Sequence, residues 1–285
     1  MASRELSQRP QGSTGAGAFV PTYHREMLMD RRRVRAFHKA IEALGGHDKT
    51  LLELGPGTGV LSAFAARHFA SVVAVERDET MYQIARANLA RQGLLDGEVT
   101  LIHGDAMDLA LEPADVIVGE LLSTLMIHEP QVPVFNRVRR LLRPGGRMVP
   151  SLVVNLVTPA WSKFSVGQVV FRSPYTLFTG VPAPERLGET RVFFVADFMA
   201  GAVPMDVSTE IETTALFAGE INSLILETRV ETAPGLTFSG SDSLNPPMAV
   251  PVEPLTVDRG DRLRVRLAYR HFTDWDRLRA NVERA

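Results

Sequence analysis

Between residues 50 and 150, short apolar runs alternate with stretches of helical period. Residues 50–54, 71–75, 99–103 and 115–119 are apolar runs bounded by turn formers, and they predict strands. Residues 60–68, 79–92 and 132–142 carry apolar side chains at helical spacing and predict helices. Upstream, Met27, Leu28, Val34, Phe37, Ile41 and Leu44 suit a 3.6-residue period, which predicts a helix over 21–45. Strand and helix in alternation predict a parallel sheet covered on both faces.

After Pro150 the pattern changes. Residues 152–158, 168–171, 191–195, 224–232 and 262–269 read as strands separated by Gly and Pro, and a helical period returns only at 274–282. This half predicts an all-β sandwich or barrel. Residues 1–18, rich in Gly, Ser and Gln, predict a flexible tail. The expected divisions are 1–18 as tail, 19–48 as N-terminal helices, 49–151 as the parallel-sheet domain and 152–285 as the β domain.

Composition narrows the chemistry. The 285 residues are 45% hydrophobic, enough for a substantial core. Thirty-one basic against 33 acidic side chains leave a net charge of -2, which argues against a nucleic-acid binder working through bulk charge. The absence of cysteine excludes disulfides, thiolate metal sites and cysteine nucleophiles, and no metal site is expected. No run of about 18 apolar residues is present, so no membrane span is expected. The N-terminus lacks the apolar core of a signal peptide, and a cytoplasmic location is expected.

The strongest local signal is Glu53-Leu-Gly-Pro-Gly-Thr-Gly59, an acid at a strand end followed by a glycine turn that opens a helix. Gly55, Gly57 and Gly59 remove side chains where the turn is tight and a ligand approaches the backbone. A nicotinamide fingerprint, G-x-G-x-x-G, would place its third glycine one residue later, where Val60 stands. The next strand ends in Glu76, placed to accept from both hydroxyls of a ribose. The third ends in Gly104-Asp105-Ala106. The fourth ends in Glu120, and Glu129 follows nine residues on, across a loop at the sheet edge where open α/β sheets bind ligands. Two nearby carboxylates repel unless a cation lies between them, and a guanidinium can engage both bidentately.

The acid and glycine turn resemble the first motif of class I methyltransferases that use S-adenosylmethionine. The Glu120–Glu129 loop, with Leu141-Leu-Arg-Pro-Gly-Gly-Arg-Met-Val-Pro-Ser151 behind it, resembles the double-glutamate loop of protein arginine methyltransferases. Tyr23-His-Arg-Glu-Met-Leu-Met-Asp-Arg-Arg-Arg33 resembles that family's N-terminal helix. The resemblance implies an α/β fold, a Rossmann-like methyltransferase domain followed by a β-barrel or β-sandwich domain, and S-adenosylmethionine as cofactor. It implies that His24, Met27 and Arg33 close over the cofactor, with Arg33 on its methionyl carboxylate. It further implies that Glu53, Gly55, Gly57, Gly59, Glu76, Asp105 and Ala106 bind the cofactor, that Asp105 and Ala106 read its adenine, and that Glu120 and Glu129 are catalytic. A homodimer is implied too.

Departures from the family bear on the substrate. Its Thr-His-Trp loop falls, by register from Glu253, at Ser243-Leu244-Asn245, so the His and Trp are missing. The segment after Pro150 is short for a full dimerisation arm, and a reduced arm is expected near 173–189. Neither His128 nor His271 is expected to act as a base. These features favour a small guanidine, most simply free L-arginine, as in compact bacterial enzymes of natural-product pathways such as antibiotic biosynthesis. An arginine-containing protein is a second reading, and a non-catalytic binding module is a third. The strand at 262–270 alternates arginine with apolar residues, which reads as one solvated face rather than a nucleic-acid ribbon.

Overall fold

A computed structural model describes residues 28–95, 97–178, 180–239 and 245–285. His24, Met27, the expected tail and the Ser243-Leu244 pair lie outside the described residues. Five parallel strands form the first sheet in the order β3-β2-β1-β4-β5. They are β1 (Gly46–Leu54), β2 (Phe69–Glu76), β3 (Val99–His103), β4 (Ala114–Gly119) and β5 (Leu142–Val149). Among the described residues, the helices α1 (Arg31–Leu44), α2 (Val60–Ala65), α3 (Glu79–Arg91) and α4 (Gln131–Val138) accompany them. The strand order reverses between β1 and β4, and in such sheets ligands bind at that reversal, beyond the strands' C-terminal ends. The acids Glu53, Glu76 and Glu120 all lie there.

The helix expected over 21–45 is not continuous. Asp30 leaves helical geometry and caps α1, its Oδ1 accepting the Arg33 N–H at 3.2 Å. The side-chain oxygen satisfies an otherwise unpaired N–H of the first turn. Phe37 and Ile41 are buried from α1 against the sheet. The helix expected at 132–142 stops at Val138, and one 3₁₀ turn, Arg139–Leu141, leads into β5.

The second half forms two larger antiparallel sheets and a separate two-stranded hairpin. The larger is built on β6 (Leu152–Trp161), β13 (Gly219–Ala233) and β15 (Met248–Val257), with β9 (Tyr175–Thr176), β10 (Glu185–Arg186), β11 (Arg191–Asp197) and β14 (Leu236–Ser239) along them. The smaller is β12 (Asp206–Thr214), β16 (Arg262–Arg270) and β17 (Arg279–Arg284). Leu224, Leu226 and Val250 of the first share one core with Leu263, Val265 and Leu267 of the second. The expected helix at 274–282 is not formed. A 3₁₀ turn, Trp275–Arg277, precedes β17, which pairs with β16 and buries Val282.

The arginines of β16 face outward, as expected of a half-buried strand. Arg264, Arg266 and Arg270 pair with Glu210, Glu283 and Asp206, while Leu263, Val265 and Leu267 point inward. The segment at 173–189 contributes only the short β9 and β10 to the main sheet. The exposed apolar feature precedes it, a hairpin of β7 (Ser165–Val166) and β8 (Val169–Val170). No helix among the described residues is long and apolar enough to cross a membrane.

Candidate active site

Glu53 ends β1 with its side chain buried, and its Oε2 accepts a very short hydrogen bond from the Ser62 hydroxyl of α2. Burial pushes its carboxyl up to about 7; the Ser62 hydrogen bond opposes the shift and nearby Glu76 adds to it. Gly55 turns the chain at φ +67, and a Cβ there would stand 2.8 Å from the Leu121 side chain. Glycine thus lets the turn lie against the residue next to Glu120. The Gly57 N–H donates to Glu76 Oε2 at 3.0 Å, and the Asp78 N–H donates to Oε1 at 2.9 Å. The Arg77 N–H also bonds this carboxylate, so of its about four acceptor positions one is left to receive a hydroxyl. Burial raises the Glu76 carboxyl, and those N–H groups oppose the rise. Past β3, Asp105 accepts the Met107 N–H at 2.9 Å and stands 3.6 Å from Arg77.

Across the sheet edge lies the second constellation. Glu120 follows β4, its side chain 10% exposed, and Arg33 of α1 places Nη2 3.2 Å from its Oε1. Burial raises the Glu120 carboxyl, and the Arg33 guanidinium opposes the rise. The pair is close but not aligned as a hydrogen bond, and Nε and Nη1 of Arg33 are buried with no hydrogen-bond partner among the described residues. The loop to Glu129 is tied at both ends. Gln131 Oε1 accepts the Leu121 N–H at 2.9 Å, and the Ser123 hydroxyl accepts the N–H of His128 at 3.0 Å and of Glu129 at 3.2 Å.

One cavity of about 470 Å³ joins these groups. Its wall includes Arg33, Glu53, Gly55, Gly57, Glu76, Asp105, Ala106, Glu120 and Glu129. Every described residue expected at the site is thus brought together except Gly59. Gly59 sits behind the wall at φ +82, and a Cβ there would meet Leu89 at 3.2 Å. The volume suits a bound small molecule. The orphaned guanidinium nitrogens of Arg33 fit a carboxylate, and the remaining acceptor position of Glu76 fits a ribose hydroxyl, so the residues present fit S-adenosylmethionine.

Other groups flank the site or add to it. His128 is exposed, its Nδ1 3.1 Å from the Thr273 carbonyl. His271 is fully buried just after β16, its Nδ1 on the Pro204 carbonyl, and burial pushes it down to about 4. It stays neutral at pH 7. Asn245, where register predicts the family loop, is fully buried. Phe272, from the far end of the chain, lines the cavity beside Leu28 and Phe37. The sequence carries no periodic or motif signal for Phe272, Gln131 or Ser62.

Comparison with known proteins places this geometry. Residues 51–146 match the family model described as a methyltransferase domain. An uncharacterized protein of Methanothermobacter thermautotrophicus is 30% identical over 92% of this chain and 98% of its own length. An arginine N(omega)-methyltransferase of Streptomyces achromogenes subsp. streptozoticus is 29% identical, over 95% of this chain and 85% of its own. A probable protein arginine N-methyltransferase 6.1 of Oryza sativa is 33% identical over 48% of this chain and 37% of its own length. In fold, the chain is similar to Trypanosoma brucei PRMT1, solved as an enzyme-prozyme heterotetrameric complex with AdoHcy. The TM-score is 0.72 at 20% identity, covering 86% of each chain. With Glu120, Glu129, the glycine turn and Glu76 gathered on one cavity, the chain belongs to the protein arginine methyltransferase family of class I S-adenosylmethionine-dependent methyltransferases.

Proposed function

We propose that this member of the family methylates the guanidino group of a small molecule, most simply free L-arginine. The observation that carries the small-molecule reading is the reach of the likeness. The relative named for arginine itself aligns over 95% of this chain, the named protein methyltransferase over 48%. A second groove along α1 agrees. Arg32, Arg35 and Lys39 of α1 and Arg229 of β13 outnumber the one acid, Glu231, that lines it, and none of the four forms an ion pair among the described residues. A basic rim disfavours arginine-rich tails.

S-adenosylmethionine, when bound, supplies an electrophilic methyl group. Glu76 holds the ribose, Asp105 and Ala106 border the adenine, and Arg33 donates its free nitrogens to the methionyl carboxylate. A free guanidinium, with a pKa above about 12, is a poor nucleophile. Glu120 and Glu129 accept its N–H groups, localise charge on two nitrogens and leave the third a better nucleophile. Arg33 supports this role, since its charge opposes the pKa rise that burial imposes on Glu120. One glutamate would accept the proton as the N–C bond forms and the methyl–sulfur bond breaks, with S-adenosylhomocysteine as the leaving group. Positioning and a low-dielectric wall supply most of the acceleration.

The test is mass spectrometry of free L-arginine and of an arginine-glycine-rich peptide after incubation with protein and cofactor. A gain of one methyl on free arginine is expected. Methylation of the peptide alone would install the protein reading, which the higher identity of the rice enzyme favours. Glu120→Gln and Glu129→Gln should each lower kcat by about 100-fold or more while cofactor still binds. We propose in addition that the chain works as a homodimer, on the exposed hairpin β7–β8.

A further inference from the structure

The chain from Glu120 to Glu129 turns through Leu125 and Met126, at φ 56 and 55. Both side chains are fully buried. Non-glycine residues hold left-handed backbone only where their surroundings over-determine it. Here the surroundings are the β half. The Leu125 N–H donates to Thr228 Oγ1 at 2.8 Å. The Thr228 hydroxyl donates in turn to Asn155 Oδ1 at 2.9 Å, and Asn155 Nδ2 donates to the Tyr269 hydroxyl at 3.0 Å. Three strands, β13, β6 and β16, supply one residue each, so the chain of bonds links both antiparallel sheets to the loop.

Its direction is fixed. An amide N–H can only donate, so Thr228 accepts there and passes its own proton to Asn155. That sets the Asn155 amide, whose nitrogen then faces Tyr269. Thr228 and Asn155 are fully buried and Tyr269 is 5% exposed, so water does not compete. Burial also raises the Tyr269 phenol far above its ordinary value, so it stays a neutral acceptor. The neighbours Val157, Leu224, Leu226 and Val265 show that apolar packing fills the rest of this core. A polar trio among them adds direction, which apolar contacts lack. Backbone bonds brace the same kink: Phe272 N–H to the Met126 carbonyl at 3.2 Å, and Thr273 N–H to the Ile127 carbonyl at 2.6 Å.

We propose that Thr228, Asn155 and Tyr269 are positioning residues for methyl transfer. They hold the Leu125–Met126 kink and thereby set where Glu129 stands relative to Glu120. The proposal rests on the reading that these glutamates grip a guanidine. Its effect on kcat depends on that reading, but its effect on the loop does not.

The test compares full-length Thr228→Val, which keeps shape but loses the acceptor, with Thr228→Ser, which keeps the hydroxyl. Thr228→Val should lower kcat about 10- to 100-fold, as expected for a small misplacement of reacting groups. Cofactor affinity should stay within about twofold, and amide exchange over 121–129 should quicken about tenfold or more. Thr228→Ser should recover most of kcat and of the exchange protection. Tyr269→Phe should quicken exchange in the same segment by less, and it serves where the valine variant fails to fold. A valine variant with wild-type kcat and exchange overturns the proposal, and so does a serine variant as impaired as the valine one. If wild-type protein methylates neither arginine nor peptide, the guanidine reading fails on its own. Exchange over 121–129 then still decides whether the three residues hold the loop.

Discussion

At the scale of single residues, the site is built from carboxyl groups kept at different charge costs. Glu120 has a guanidinium at 3.2 Å, whereas Glu53 has only a hydroxyl and another carboxylate nearby. Burial, with no cation beside it to oppose the shift, therefore raises the Glu53 pKa from 4.5 to about 7 on folding. The folded state binds this proton more tightly than the unfolded chain does. Stability from the group is thus complete below about 4.5 and lost as pH rises through about 7. Above that, the buried charge costs on the order of 1–3 kcal/mol. Glu53→Gln removes the charge and keeps a hydrogen-bonding oxygen for Ser62. In ligand-free protein this variant should unfold at a higher temperature than wild type near pH 8, with the gap closing toward pH 5. A gap that does not change with pH would show that Glu53 titrates at its ordinary value.

At the scale of elements, α1 carries two tasks. Its buried face anchors Phe37 and Ile41 in the core, and its first turn presents Arg33 to Glu120. The Asp30 cap fixes where that turn begins. Asp30→Ala should cost about 1 kcal/mol in denaturant unfolding and Asp30→Ser only a fraction of that. The alanine variant should also weaken cofactor binding, measured by calorimetry, because Arg33 loses its fixed start. An alanine variant as stable as wild type would mean that Asp30 acts elsewhere. The strands and helices of the first half are legible in sequence because each reports through its own period and through glycine turns. β5 is not, since Arg143-Pro-Gly-Gly-Arg147 reads as a turn, although β4 recruits it as a strand. Nor is β17, whose Trp275, Leu278 and Val282 suit a helix until pairing with β16 decides otherwise. The acids and glycines of the site are legible for the same local reason. Thr228, Asn155 and Tyr269 are not, because their hydrogen bonds join residues 73, 103 and 114 positions apart and leave no local pattern.

At the scale of the whole molecule, two cores meet along the loop from Glu120 to Glu129. Met126 packs with the parallel-sheet core, while its neighbours Leu125 and Ile127 pack with the antiparallel one. The loop between the glutamates therefore shifts if either half moves against the other. The hairpin β7–β8 stands outside both cores. Val166, Val169, Val170 and Phe171 are 83%, 70%, 66% and 75% exposed. A two-stranded hairpin is marginal alone in water, and clustered apolar side chains on one mark a surface that another chain covers. In the proposed homodimer a second copy of this chain would satisfy that requirement and bring two such hairpins into the assembly. Wild-type protein should accordingly sediment at twice its 31.3 kDa chain mass. The double variant Val169→Asp with Phe171→Asp places charge in the contact and should sediment as monomer. Its cofactor affinity, measured on the monomer, should stay within about twofold of wild type if the hairpin serves assembly alone. Wild-type protein that stays monomeric at tens of micromolar would remove the dimer, and a double variant that stays dimeric would move the interface to another face. If dissociation also lowers kcat while affinity holds, the hairpin braces the loop through its neighbour, because a loop shared by two cores responds to any contact that stiffens either half.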